Sequence, residues 1–296
     1  MELRNIKVAI QGSRASFHDL AAKKHFGDTA EIISCKSFRE SCEALAHNRA
    51  DYVLIAAGNS LAGNILSNYE LVREFGLNVI SELYLKIELH LIGLPETHLE
   101  EIRFIRSHPM ALRQCTEFLA GLSAQVIQDS DTASCAEAIA LSRQRNTAAI
   151  AGYEAAHQYG LRILSENIHS REENYTRFWV LSKGETLVED ANKATLSFIL
   201  DDKVGSLAEA LFVFRTEGLG LSSIQSSPLP DSSGHYHFYA DVEFSHKQKY
   251  LRCLRALSLK SKDLQVMGEY EKDQVPHYKS LSTKNHSLQS KTEITT

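Results

Sequence analysis

Four short segments carry hydroxyl and amide side chains of the kind that bind ligands in an α/β domain, at the carboxyl ends of strands and the N-termini of the helices that follow. They are Gly12-Ser13-Arg14-Ala15-Ser16-Phe17, Asn59-Ser60, Ser107-His108-Pro109 and Ser130-Asp131-Thr132. Taken singly, each Ser, Thr or Asn fits a helix N-cap. Taken together they describe a cleft rich in hydroxyls and amides, suited to a small carboxylate ligand without a metal or a charged nucleophile. Gly12 is followed by Ser13-Arg14-Ala15 and lacks the third glycine of G-x-G-x-x-G, so a dinucleotide is not expected. Neither G-x-S-x-G nor a Walker A run occurs. The 13 histidines are scattered, without H-E-x-x-H or H-x-x-E-H spacing, and no metal or other cofactor is expected.

The elements that must position these residues alternate between strand and helix through the first 185 or so residues, which predicts an α/β domain with a largely parallel sheet. Lys7-Val8-Ala9-Ile10 reads as the first strand, and a helix opens near Ser16. Strand, helix and strand continue through Glu31–Ser34, Phe38–Ala46 and Tyr52–Ala56, and a helix is predicted from Leu61 to Phe75. Glu82 to Gly93 alternates through Leu83, Leu85, Ile87, Leu89 and Leu91 as one half-buried strand, long enough to cross between lobes. A strand at Ile102–Ile105 and a helix beginning at Pro109 follow, and Arg177–Leu181 is a strand rich in β-formers.

Residues 186–193 lie in a polar, acidic, aperiodic stretch and read as a linker. Residues 194–270 then show strand, helix, strand, strand, helix, strand, the ferredoxin-like βαββαβ order. Its helices carry apolar stripes at Leu207, Ala210, Leu211, Phe214 and at Tyr250, Cys253, Leu254, Leu257, and Gly218 is placed to end the first. Residues 271–296 are polar, rich in Ser, Thr and Lys, and read as a disordered tail.

The chain has 296 residues, 43% hydrophobic and 23% charged, an ordinary globular composition with room for two domains. Its net charge of -5 offers no field for a polyanion, which excludes nucleic acid as the expected partner. Five cysteines without a C-x-x-C pair fall on apolar faces and read as reduced core thiols. Met1-Glu2-Leu3-Arg4-Asn5 lacks the pattern of a signal peptide, and no apolar run nears the ~18 residues of a membrane span. A cytoplasmic protein, not bound to a membrane, is expected.

Asn174-Tyr175-Thr176-Arg177-Phe178 resembles the N-x-T-R-F signature of prephenate dehydratases, and other landmarks of that family occur in order around it. Gly12 to Phe17 resembles its G-P-E-G-T-F loop and Asn59-Ser60-Leu61-Ala62-Gly63 its E-N-S-L-E-G segment. Ser107-His108-Pro109-Met110-Ala111-Leu112-Arg113-Gln114-Cys115 is close to S-H-P-Q-A-L-x-Q-C. Ala148-Ala149-Ile150-Ala151 and Tyr159-Gly160-Leu161 are similar to its A-A-I-A and Y-G-L stretch. Residues 194–270 resemble the ACT regulatory module that follows the catalytic part, with Gly205-Ser206-Leu207 at the family's G-A-L and Gln225-Ser226-Ser227-Pro228 at its E-S-R-P.

The resemblance implies an α/β fold with a bilobal, periplasmic-binding-protein-like catalytic domain over residues 1–185, its lobes interleaved by crossings near 82–92 and 170–178, followed by a ferredoxin-like βαββαβ ACT domain. It implies conversion of prephenate to phenylpyruvate with loss of water and CO2, with arogenate dehydratase or a non-catalytic bilobal sensor as alternatives. Thr176, Asn59, Ser107 and Gln114 are the catalytic candidates. Ser16, Phe17, Ser60, Thr132, Arg177 and Phe178 are the substrate-binding candidates, Arg177 by pairing with a carboxylate. L-Phenylalanine is the implied effector, at Gly205, Ser206, Leu207, Ala208, Gln225, Ser226, Ser227 and Pro228, in a homodimer or homotetramer joined through the ACT domains. The chain departs from the family at Gly58, where a glutamate is usual, at Arg14 and Ala15 in the first loop, and at Gln225 and Ser227 in the effector segment.

Overall fold

The computed structural model describes residues 5–184, 188–229 and 235–274. The first lobe consists of β1 (Lys7–Gln11), α1 (Phe17–Phe26), β2 (Glu31–Cys35), α2 (Phe38–Ala46), β3 (Tyr52–Asn59), β4 (Gly63–Asn64), α3 (Leu66–Glu74) and β5 (Leu77–Lys86). The second holds β6 (His90–Gly93), a 3-10 turn at Leu99–Glu101, β7 (Phe104–Ser107), α4 (Pro109–Gln114), α5 (Thr116–Ala120), β8 (Gln125–Gln128), α6 (Thr132–Ser142), β9 (Thr147–Ala151), α7 (Tyr153–Gln158) and β10 (Arg162–Ser165). The chain returns to the first lobe as β11 (Tyr175–Lys183). The C-terminal unit comprises β12 (Lys193–Leu200), α8 (Ser206–Glu217), β13 (Gly220–Pro228), β14 (Tyr236–Glu243), α9 (Lys247–Ser258) and β15 (Lys262–Tyr270).

The first sheet has the order β2-β1-β3-β11-β5, with β4 folded onto β3. β1 pairs in parallel with β2 and β3, whereas the returning β11 enters antiparallel between β3 and β5. Val53–Ala57 and Phe178–Leu181 are at most 4% exposed, the continuous apolar runs that a sheet covered on both faces requires. The second sheet runs β10-β6-β9-β7-β8 beside two apolar clusters, one of which takes in Ala15 and the other Phe17 and Leu85 of the first lobe.

The single strand expected over Glu82–Gly93 is divided: β5 begins earlier, at Leu77, and residues 87–89 separate it from β6. Alternation persists through the gap because Ile87 and Leu89 stay buried while their partners change. The Ile87 amide donates to the Asn174 carbonyl, and the Ile168 amide to the Leu89 carbonyl, so the two crossings lie side by side. The helix expected from Leu61 starts only at Leu66, after the short return strand β4. The helix expected from Pro109 breaks at Cys115 into α4 and α5.

The C-terminal sheet is antiparallel throughout, in the order β13-β14-β12-β15. One face packs on α8 and α9. Tyr239, Met267 and Tyr270 on the other face join a core with Tyr69, Val79 and Trp179 of the first lobe. β15 approaches β5 so closely that a Cβ at Gly268 would collide with the Val79 carbonyl oxygen and lie 2.7 Å from the Val79 Cβ. Gly218, with φ 70, ends α8. The inward position read for Leu207 is not realised: it is 38% exposed, and Ala210, Val213 and Phe214 fill the stripe.

Both boundaries of this unit differ from the sequence reading. Lys193, read as the end of the linker, opens β12 and is buried. Residues 271–273, read as tail, are held by hydrogen bonds from the Lys272 amide to Asn192 Oδ1 and from the Tyr84 amide to Asp273 Oδ2. Residues 275–296 of the expected tail and 186–187 of the expected linker lie outside the described residues. All five cysteines are free and buried. Among the described residues no helix is long and apolar enough to cross a membrane.

Candidate active site

A cavity of about 540 Å³ opens between the two lobes, lined by Ser16, Phe17, Asn59, Thr176 and Phe178 from the first and Gln114 and Thr132 from the second. Thr176 and Phe178 reach it together because alternate residues of β11 share a face. Asn59 lies directly across the ladder from Thr176, and the register then slips so that Phe178 opposes Ala56 rather than Ala57. That irregularity puts Asn59 and Ala56 on the cleft face, the way a bulge re-aims a side chain.

Backbone contacts determine which way round the Asn59 amide sits. Its Oδ1 accepts from the Leu61 and Ala62 amides at 2.9 and 3.1 Å, so this atom is the oxygen. The Nδ2 is thereby turned to Asn174 Oδ1 at 2.8 Å and Thr176 Oγ1 at 3.1 Å. Asn174 Nδ2 donates in turn to Gln114 Oε1 at 3.0 Å, which ties β11 to α4 across the lobes. Thr176 Oγ1 therefore accepts from Asn59, and its own proton is free to donate into the cleft.

Ser16 caps α1, accepting from the Asp19 amide, while Thr132 opens α6 behind its cap Asp131. Asp131 Oδ2 also accepts from Ser13 Oγ at 2.8 Å, a bond between the lobes at the cleft edge. His18 lies edge-on to Phe178, centroids 5.1 Å apart, and its Nε2 has no protein partner among the described residues. Burial, reinforced by His108 and opposed by Asp131, lowers its pKa to about 4, so the ring is neutral at pH 7. No Lys or Arg is among the described residues lining this cavity. Arg113 and Arg171 border Gln114 in an adjoining cavity at the mouth of about 570 Å³.

Three expected site residues take other places. Arg177 does not face the cleft, because it alternates with Thr176 and Phe178. Its side chain is 8% exposed and binds Glu82, Asp241 and Tyr270 on the opposite face of the sheet, so its charge is engaged away from the cleft. Ser107 is fully buried, its hydroxyl donating to the Ile150 carbonyl at 2.6 Å. Ser60 Oγ donates to the Glu173 carbonyl and accepts from the Tyr175 amide, fastening β11 rather than reaching the cleft. Gly58 pairs with Arg177 and lines an outer cavity, so a glutamate there would stand away from Thr176; a Cβ would come within 2.7 Å of Asn64 Oδ1.

The sequence reading did not single out Asn174, His18, Asp131, Arg113 or Arg171 as functional. Asn174 had a signal, the first position of the N-x-T-R-F run. Asp131 and Arg113 lie within quoted segments and His18 follows one, yet nothing in the chain says on which side of a helix or loop the cleft lies. In the C-terminal unit Gly205 caps α8 in a left-handed conformation, φ 92, ahead of Ser206, Leu207 and Ala208. Gln225, Ser226, Ser227 and Pro228 end β13, and Ser227 Oγ donates to Glu70 of the first lobe at 2.7 Å.

Comparison with known proteins identifies the family. Residues 8–186 match the family model described as prephenate dehydratase. The chain is 33% identical over 273 residues to a bifunctional chorismate mutase/prephenate dehydratase of Aquifex aeolicus, covering 91% of this chain and 74% of that one. It is 31% identical over 286 residues to the chloroplastic arogenate dehydratase/prephenate dehydratase 1 of Arabidopsis thaliana, covering 88% and 73%. Among solved structures, the prephenate dehydratase of Arthrobacter aurescens in complex with L-Phe superposes with a TM-score of 0.82 at 27% identity, covering 90% of each chain.

Proposed function

The chain belongs to the prephenate dehydratase family and is a dehydratase of the lyase class, and from that premise we propose that its cleft converts prephenate to phenylpyruvate with loss of water and CO2. The observation that supports this reading is the bond between Asn59 and Thr176: Asn59 donates to the threonine oxygen, which leaves the threonine proton available to a ligand in the cleft. In the reaction the ring C–O bond breaks as the carboxylate C–C bond releases its electrons into the ring. CO2 leaves, and the departing hydroxide takes a proton to become water. Aromatisation supplies the driving force, so the protein's task is to help the oxygen depart.

A threonine hydroxyl is too weak an acid to titrate here. Thr176 acts as a positioned hydrogen-bond donor or proton relay to the leaving oxygen, assistance of a kind worth about 10²–10⁴-fold. Asn59, Asn174 and Gln114 hold it and present fixed dipoles to the developing charge. Phe17, Phe178 and neutral His18 supply a mostly apolar bed for the ring. With Arg177 engaged elsewhere, the carboxylates are held by backbone amides near Ser16 and Thr132 and by Arg113 and Arg171 at the mouth.

Residues 1–185 are the catalytic unit in this reading, and the ACT regulatory domain begins with β12 at Lys193 and extends to Asp273. L-Phenylalanine binds at Gly205–Ala208 and at Gln225–Pro228 of an adjoining subunit. The edge strands β13 and β15 favour side-by-side pairing into a homodimer or homotetramer.

Purified protein given prephenate without added cofactor should form phenylpyruvate, followed by its absorbance, and Thr176→Ala should abolish turnover. No product, or full activity in Thr176→Ala, overturns the reading. A kcat/KM comparison on prephenate and arogenate decides the substrate. The same assay with millimolar phenylalanine tests the effector, and sedimentation the assembly.

A further inference from the structure

Arg177 carries the catalytic strand into the C-terminal unit. Its Nε donates to Glu82 Oε2 at 2.6 Å, Nη1 to Asp241 Oδ2 at 2.5 Å and Nη2 to the Tyr270 hydroxyl at 2.9 Å. Thr195 Oγ1 is 2.7 Å from both Asp241 Oδ1 and the Tyr270 hydroxyl, and Lys193 Nζ donates to both Glu82 oxygens. Two cations thus face two carboxylates in a buried, charge-balanced cluster, the arrangement in which removing one partner strands another without compensation. Glu82 and Arg177 belong to the first lobe, as does Tyr69, whose hydroxyl donates to Asp241 Oδ2 at 3.2 Å.

Nothing on β3 shares this work. Gly58, opposite Arg177, has no side chain, and a cavity of about 730 Å³ lies beside Arg177 and Lys193. The β11 backbone is held by its ladders to β3 and β5, and the side-chain hold added at this residue comes from Glu82 on β5 and from the C-terminal sheet. The residue before it is Thr176, which points into the cleft.

We infer that Asp241 and Tyr270 are positioning residues for Thr176, acting through Arg177, so that the docked state of the C-terminal domain sets the placement of the reacting hydroxyl. The inference rests on the dehydratase reading for its kinetic consequence but not for its geometry. It also supplies the contact through which an effector bound to that domain reaches the cleft without touching it.

The test uses the full chain. Asp241→Asn should lower kcat on prephenate by about ten- to a hundredfold, the scale of a small misplacement of a reacting group, with KM within about twofold. Tyr270→Phe should give a smaller loss in the same sense, and it remains informative if Asp241→Asn fails to fold. Arg177→Lys should retain more activity than Arg177→Met. Asp263→Asn removes a different ion pair across the same boundary, Arg73 to Asp263 at 2.5 Å, and should leave kcat unchanged.

The Thr176 methyl resonance provides a readout independent of turnover. It should shift in Asp241→Asn and Tyr270→Phe and stay in place in Asp263→Asn. Wild-type kcat and an unmoved Thr176 signal in folded Tyr270→Phe and Asp241→Asn overturn the inference, as does an equal kinetic loss in Asp263→Asn. A wild-type protein that does not turn over prephenate overturns the dehydratase reading alone, and the methyl signal still decides the positioning.

Discussion

Asn59 donates a hydrogen bond to Thr176, and it can only donate, because two backbone amides occupy its oxygen. The direction of this one bond gives Thr176 its polarity. Asn59→Asp retains the acceptor for Leu61 and Ala62 but presents a second acceptor to Thr176, which turns the threonine proton inward. It should lower kcat by about 10²-fold or more while the thermal midpoint changes little. An Asn59→Asp enzyme with wild-type kcat would mean that the threonine proton is not used.

In the proposed reading Arg113 and Arg171, which line the cavity adjoining the cleft, share the carboxylate contact with the backbone amides near Ser16 and Thr132. Arg113→Ala should raise KM for prephenate several-fold with little change in kcat, since a contact made equally in ground and transition states affects binding alone. Arg171→Ala should behave alike. Steady-state kinetics check both, and a pure kcat effect would contradict this placement.

Gly268 permits a close approach between the C-terminal sheet and Val79 of the first lobe. Gly268→Ala puts a methyl group against the Val79 backbone, which cannot rotate away, and should cost about 1–3 kcal/mol of stability. Because the same interface carries Asp241 and Tyr270, kcat should fall as well. Chemical denaturation and turnover on one preparation measure the two effects, and an unchanged midpoint would show that the strands do not pack at this distance.

Burial lowers His18 and His237 to about 4. The unfolded chain takes up these protons near the usual 6.5 or so. Between about pH 6.5 and 4 the unfolded state therefore binds more protons, and stability declines as pH falls through that window and levels below it. His18→Gln should flatten part of the slope, with His237 among the groups that supply the rest. Urea midpoints across this range check it, and an identical slope in His18→Gln would show that folding does not lower the affinity of His18 for a proton.

The family resemblance carried by the ordered motif segments named Thr176 and Asn59 as cleft residues, and strand and helix periodicity read the βαββαβ order of the second unit. These are local properties: a period of two, a cap residue and a turn residue are written in neighbouring positions. Alternation also required Arg177 to oppose Thr176, but it carries no information about which face of β11 meets solvent and which meets another domain. That depended on Asp241 and Tyr270, 64 and 93 residues away in the chain. The outer face was filled by a docked sheet, so the arginine became a buried clamp instead of a substrate contact. Ser107 turned inward for the same kind of reason, since the Ile150 carbonyl needed a donor that only the packed second lobe could bring within reach. Residue types and spacing settled what chemistry was available, and tertiary packing decided which groups were left free to perform it, because a buried polar group must satisfy its neighbours first.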